Sequence, residues 1–470
     1  MAGTSKTGGG LRLCQRYPQW DGTAFIVGRS STFPTGPHSG YLTFYISEGA
    51  ITMKTKAVRL YGAGDLRTEE FELPEIRDDE ILVKVISDSI CMSTYKCAVL
   101  GKAHKRVPQN IDTHPTIMGH EFAGDIVKVG KKHQDKFRPG MRFAQQPALN
   151  YHGTMWSPGY SYEFFGGDCT YCIIPAEVME LGCLIEYTGR AYYEASLAEP
   201  MSCCIGAFHA CYHTVPGKYE HIMGPKKDGA MALLAAAGPM GLGDVDYILH
   251  SGNPPRLLVV ADINEERLAR ARKLFPAKEA AALGTELIFL NISGEAPAEK
   301  LLACSPSGFD DVFVLTAISS LCELGANILG HDGCMNFFSG PTDRKFSAAL
   351  NYYNVHYNSV HILGTTGGNT DDLLESLRMS AAGTLNPAVM ITHIGGLDAA
   401  AETTLNQPNI PGGKKLIYTH INMPLTAISD FKELGKSNSH FAALAEITET
   451  HRGLWCPEAE AYLLKHWPQN

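Results

Sequence analysis

The sequence predicts an α/β protein in which a doubly wound parallel sheet follows a mainly-β domain, and three observations carry that expectation. Residues 53–148 are a succession of short β-branched and aliphatic runs parted by Gly, Pro and Asp turns. At 231–237 the texture changes to an apolar run that meets Gly238-Pro239-Met240-Gly241, and a second apolar run, 256–261, closes on Asp262. That order is βαβ. Further strands at 286–290, 311–315, 333–338 and 360–363 are separated by helical stretches, as parallel sheets with crossover helices require.

The bulk properties bound the answer. A chain of 470 residues holds two or three domains, and 44% hydrophobic and 19% charged residues are the proportions of an ordinary soluble protein. A net charge of -9 without a block of Lys and Arg argues against nucleic acid as a partner. The longest apolar stretch, 229–242, falls short of the roughly 20 residues of a membrane span. Thirteen cysteines in so long a chain do not make a disulfide scaffold, so a reducing, cytoplasmic setting is expected.

Residues 1–52 are rich in Gly, Ser, Thr and Pro and lack the charged start and apolar centre of a signal peptide. They read as a non-native or disordered extension. Met53 opens the first strand as a fresh start would, and Glu48-Gly49-Ala50 is encodable by a ribosome-binding sequence at suitable spacing upstream. The expected domains are then 53–212, a catalytic domain; 213–366, a dinucleotide-binding domain; and 367–470, a return to the first domain followed by helices.

In the first domain, strands are expected at 57–60, 70–73, 81–86 and 124–129. Cys91 lies just past the end of the third, a common place for catalytic groups. Gly119-His120-Glu121 sets an imidazole and a carboxylate between a turn glycine and the fourth strand. Alone, such a histidine more often bonds a backbone carbonyl than a metal. With Cys91 upstream and Glu199-Pro200 downstream, the set holds the ligand types of a catalytic zinc that keeps one position open.

Between them runs a basic loop containing Lys96, Lys102, His104, Lys105 and Arg106. It reads as a solvated face or, beside a metal, as a site for an anionic substrate group. Cys169-x-x-Cys172 enters a strand where residues three apart point to opposite faces, and no second pair follows at zinc-ribbon spacing. Cys203, Cys204 and Cys211, with His209 and His213, follow Glu199 in a helical segment, 202–212, and read as buried small hydrophobes.

The turn from Ala236 through Gly238, Pro239, Met240 and Gly241 lets a pyrophosphate approach a helix N-terminus, whose free N–H groups and dipole favour an anion. Ala236 stands where the fingerprint has its first glycine. Asp262, at the end of the second strand, accepts ribose hydroxyls and repels a 2′-phosphate, which favours NAD over NADP, although Arg267 and Arg270 lie close by. Thr316 and Gly340, at the carboxyl ends of later strands, line the cofactor crevice. An amphipathic helix at 371–382, β pieces at 390–397 and 415–418, and a mostly helical 430–466 complete the chain.

Cys91-x-Ser93, Gly119-His120-Glu121 with Gly124 and Gly130, Pro139-Gly140-Met141-Arg142, Gly166-Gly167 before Tyr171, Glu199-Pro200, Gly238-Pro239-Met240-Gly241 and Asp262 together resemble the zinc-containing medium-chain alcohol and polyol dehydrogenase family over 53–417. Within it, Gly453-Leu454-Trp455 and the altered glycine turn resemble the L-sorbose-1-phosphate reductases. The resemblance implies a doubly wound Rossmann domain plus a mainly-β GroES-like catalytic domain, and NAD or NADP as cofactor. It implies one catalytic zinc held by Cys91 and His120 with Glu121 or Glu199. No structural zinc is expected, because 145–165, where many relatives carry four cysteines, has none.

Ser93 is placed to pass a proton between substrate oxygen and solvent; its bland role is a turn cap. A sugar phosphate would be held by Lys96, Lys102 and Arg106, with Arg344 and Lys345 as second candidates. A homo-oligomer, dimer or tetramer, is usual in the family. The reaction implied is reversible NAD(P)H-linked reduction of L-sorbose 1-phosphate to D-glucitol 6-phosphate. Its competitors are oxidation of an unphosphorylated polyol and a non-catalytic dinucleotide-binding redox sensor, and the intact ligand set counts against the latter.

Overall fold

The strand Ile81–Ile90 organises the first half of the protein in the computed structural model, which describes residues 53–468. It pairs antiparallel with Phe122–Val129, Tyr171–Ile174 and Lys414–Tyr418. Arg142–Gln145 and Leu184–Glu186 extend the sheet on one side, and Ile391–Gly396 and Thr426–Ala427 on the other. Nine of its ten residues are buried, so it reads as a near-continuous apolar run. A smaller sheet joins Asp65–Leu73, Met53–Gly62 and Thr116–Ile117. The close spacing of strands fixes one glycine here: a Cβ on Gly124 would lie 1.9 Å from the Lys84 carbonyl oxygen. The extension expected over 1–52 lies outside the described residues.

The second half is a six-stranded sheet in which every pairing is parallel. Its spatial order is Glu286–Asn291, Leu257–Asp262, Ala230–Leu234, Phe309–Val314, Leu329–Phe337 and His361–Gly364. In chain order that is third, second, first, fourth, fifth and sixth, the doubly wound arrangement that opens a crevice at the carboxyl ends of its central strands. The sheet and its flanking helices bury their apolar faces in two continuous clusters.

The first of these strands ends at Leu234 rather than running to 237. Ala235 turns the chain into the left-handed region at φ 57, after which the Ala236 N–H donates to the Ala261 carbonyl at 3.1 Å. The helix Pro239–His250 then starts at Gly238, with proline in its first turn where no N–H is missed. A Cβ on Gly241 would meet the Ala236 oxygen at 2.2 Å, whereas one on Gly238 would meet nothing within 4 Å. Gly241 therefore lets the helix close on the turn, and Gly238 faces open space.

Further along this helix Asp244 is fully buried beside the Cys204 thiol, and burial pushes its carboxyl from 3.8 up to about 7. The unfolded chain releases this proton near its ordinary value while the folded chain keeps it. Stability is therefore lost as pH rises through that window, by an amount on the order of a few kcal/mol. Asp244→Asn is expected to remove this group's share of the slope, leaving that of other buried carboxyls such as Glu199 and Asp168. Urea unfolding from about pH 5 to about pH 8 should show a decline in the parent protein and a flatter line in the variant.

Two local expectations are corrected. The helix after Glu199 spans Ala198–Ala210, and Tyr212 and His213 belong to a short strand, Tyr212–Thr214, paired with His221–Met223. Cys169 and Cys172 do not face opposite ways. Cys169 sits in the turn before Tyr171–Ile174, where strand alternation has not begun, and both thiols enter one core. At the C-terminus, helices Ser439–Thr450 and Pro457–His466 dock by Glu460, whose carboxylate accepts from the Tyr192 and Tyr193 N–H groups and the Tyr418 hydroxyl.

Candidate active site

Cys91 caps the helix Met92–Leu100 directly after the strand Ile81–Ile90, and His120 and Glu121 immediately precede Phe122–Val129, its neighbour. Pairing of the two strands thus brings together residues about thirty apart. One ligand atom each from Cys91, His120 and Glu121 lie within 4.8 Å of one another. Thr94 Oγ1 sits 3.3 Å from His120 Nδ1, while Ser93 Oγ lies 3.3 Å from Nε2 and 3.0 Å from Cys91 Sγ. A thiol, an imidazole nitrogen and a carboxylate oxygen this close are a donor set that fits a zinc ion.

The polar end of the strand builds the wall behind them. Ser87, Asp88 and Ser89 are all fully buried. Asp88 Oδ1 accepts from the Glu121 N–H at 3.1 Å, and the Ser89 hydroxyl donates to the Glu121 carboxylate. Gly119 adopts φ +85, and a Cβ there would lie 2.0 Å from Asp88 Oδ2; the glycine of the motif is required by this carboxylate. Asp88 and Asp168 are both fully buried, and burial raises both carboxyls, Asp168 to about 6.

Lys414 is the largest addition that the sequence did not announce. Its ammonium lies 2.5 and 2.6 Å from the two Glu121 oxygens, with both side chains almost wholly buried. Burial acts to raise the Glu121 carboxyl, but Lys414, His120 and the hydrogen bonds outweigh it and hold it below its ordinary range. Burial likewise acts to lower Lys414, and Glu121 and Cys91 overcome it. Glu199, from the helix Ala198–Ala210, lies outside the 4.8 Å set but close enough to act on its charges. Burial and the Glu121 charge push it up to about 7. Burial also lowers His120 and raises Cys91, so that the imidazole is favoured neutral.

Residues 77–190 match the alcohol dehydrogenase GroES-like domain family. The chain is 46% identical over 413 residues to L-sorbose 1-phosphate reductase of Klebsiella pneumoniae, covering 88% of this chain and 98% of that one. It is 52% identical over 416 residues to mannitol-1-phosphate 5-dehydrogenase of Aliivibrio fischeri, with the same two shares. The chain belongs to the zinc-containing medium-chain alcohol and polyol dehydrogenases. Its fold is also that of 2R,3R-butanediol dehydrogenase from Bacillus subtilis, with a TM-score of 0.62 at 19% identity over 77% of this chain and 99% of the other. It is thus an oxidoreductase of the polyol and sugar-phosphate dehydrogenase group.

In this dehydrogenase Asp262 ends its strand with one oxygen accepting from the Ala237 N–H at 3.0 Å and the other from Ile263 and Asn264. It therefore ties the glycine turn to the next loop. Arg270 donates to the Val389 and Ile391 carbonyls and is committed there, whereas Arg267 is exposed. Thr316 follows the strand Phe309–Val314, and the Gly340 carbonyl, beyond Leu329–Phe337, accepts from Lys96 Nζ at 2.8 Å.

The basic residues divide. Arg106 reaches the site, with its guanidinium 5.1 Å from the centre of the Tyr160 ring, which lies 5.1 Å from the His120 ring. Lys102 is paired with Asp112 at 2.6 Å, and both are exposed. Arg344 and Lys345 are exposed on a loop, and no described contact joins either to the catalytic set. Tyr160, 1% exposed, was missed because an isolated tyrosine carries no motif.

Proposed function

We propose that this dehydrogenase reduces L-sorbose 1-phosphate to D-glucitol 6-phosphate, reversibly, with NADH as the preferred reductant. The observation that carries the reading is Arg106. Its Nε is buried with no hydrogen-bond partner among the described residues, and its guanidinium rests over Tyr160, next to His120. A guanidinium so placed offers an unused donor to an anion close to the reacting carbon. In a ketose 1-phosphate the phosphate-bearing carbon adjoins the carbonyl, so the two recognition points need to be near neighbours.

Cys91 and His120 would hold the zinc, with Glu121 or Glu199 as the third donor. When bound, the ion supplies the Lewis acidity that polarises a carbonyl and stabilises the alkoxide. Ser93, within 3.3 Å of His120 Nε2, is placed to relay a proton from solvent to the substrate oxygen; the bound nicotinamide cofactor would supply the hydride. Asp262 supports the choice of NADH, since a carboxylate at the ribose edge repels a 2′-phosphate.

Arg106→Ala tests the reading. With L-sorbose 1-phosphate its kcat/KM should fall by about 10- to 100-fold, the worth of one or two charge-assisted hydrogen bonds at about 1.4 kcal/mol per decade. With unphosphorylated sorbose or glucitol it should barely change. Equal losses on phosphorylated and free sugars would show that Arg106 does not read phosphate. A parent enzyme that prefers free polyols would favour the unphosphorylated substrate class.

A further inference from the structure

Away from the catalytic set, a second group of metal-type side chains converges inside the dinucleotide-binding half. Cys211 follows the helix Ala198–Ala210, and His213 lies in the strand Tyr212–Thr214. Asp311 and Cys334 face each other as register partners in the strands Phe309–Val314 and Leu329–Phe337. One atom each of Cys211, Asp311 and Cys334 lie within 4.8 Å of one another, and none of the three residues is more than 1% exposed. Zn–S bonds of about 2.3 Å place tetrahedral sulfur ligands roughly 3.8 Å apart, so the set is within about an ångström of coordination.

A fourth donor, His213, adjoins the set although it lies outside the 4.8 Å group. His213 Nε2 lies 3.2 Å from Asp311 Oδ1, and its Nδ1 is 2.9 Å from the Asp332 carbonyl oxygen. A histidine that ligates metal through one nitrogen is usually held by such a hydrogen bond from the other. Asp311 Oδ2 accepts from the Lys226 N–H at 2.9 Å, which fixes the carboxylate as well. The competing arrangement is a plain His213–Asp311 ion pair beside neutral thiols, with Cys211 donating to the Ala207 carbonyl at 3.4 Å.

We propose that Cys211, His213, Asp311 and Cys334 form a structural zinc site that fastens the strand Tyr212–Thr214 to the parallel sheet. Two thiolates, an imidazole and a carboxylate suit a thiophilic divalent ion in tetrahedral geometry. Such a buried site fills as the chain folds, with release of the thiol protons. The cysteine-free segment 145–165 has no part in it, and it does not depend on the substrate assigned above.

Metal per chain in protein made in zinc-supplemented medium and purified without chelator decides the matter. Two equivalents are expected for the parent, and one each for Cys91→Ala/His120→Ala and for Cys211→Ser/Cys334→Ser. Because the second pair of changes is buried and can prevent folding, the first variant is also prepared with cobalt. It should keep a thiolate-to-cobalt charge-transfer band although its catalytic thiol is gone. A single equivalent in the parent that vanishes with Cys91 and His120, absence of the band, or a second equivalent that survives loss of Cys211 and Cys334 overturns the proposal.

Discussion

Cys91→Ala is expected to reduce turnover by at least about 10³-fold, with loss of the catalytic metal equivalent. Lewis-acid stabilisation of a developing alkoxide is worth several kcal/mol, and each 1.36 kcal/mol is a decade in rate. Without the thiol, His120 and Glu121 are left as a two-residue set, and Glu121 already gives both oxygens to Lys414. The fold should survive, because Cys91 is partly exposed and caps its helix without a side-chain hydrogen bond. Circular dichroism and thermal unfolding close to those of the parent, beside kcat and metal content, separate loss of chemistry from loss of structure.

Lys414→Met is expected to give the largest loss of stability from a single change. It strips a buried carboxylate of its counter-ion, and breaking such a pair costs about 3–5 kcal/mol because the remaining charge is uncompensated. Glu121 then has only the Ser89 hydroxyl as a described side-chain donor. The double variant Lys414→Met/Glu121→Gln should recover much of that loss, since it leaves no unpaired charge. Urea unfolding of the two single variants, the double variant and the parent gives the coupling directly. Additive losses would mean that the pair is not coupled.

How much of this was legible follows from the kind of signal each residue leaves. Cys91 and His120 stand at the ends of adjacent strands, and strands announce themselves by alternation and flanking turns. The glycine turn and Asp262 sit at the spacing that a dinucleotide crevice demands. Lys414 left no motif, being almost 300 residues from Glu121 and joined to it by the pairing of Lys414–Tyr418 with Ile81–Ile90. A faint sign existed in Lys414-Lys415, two lysines opening an otherwise apolar strand; both are buried, Lys414 on Glu121 and Lys415 on the Ile410 carbonyl.

Ser87-Asp88-Ser89 gave a similar sign, a polar trio in a strand otherwise read as core, and all three serve the site or the helix beside it. Arg344 and Lys345 are the opposite case, exposed on a loop. Charge alone nominated them, and a charged loop more often faces solvent than a ligand. For Cys169 and Cys172 alternation does not yet hold, because Cys169 stands two residues before the strand Tyr171–Ile174 begins.

The most direct test of the account is zinc-dependent turnover by the purified enzyme. NADH oxidation with L-sorbose 1-phosphate should stop when the catalytic metal is stripped with a chelator and return on addition of zinc. It should not return in Cys91→Ala. Undiminished NADH oxidation by protein shown to hold no metal at the Cys91–His120 site would contradict the assignment of that site as the seat of the chemistry.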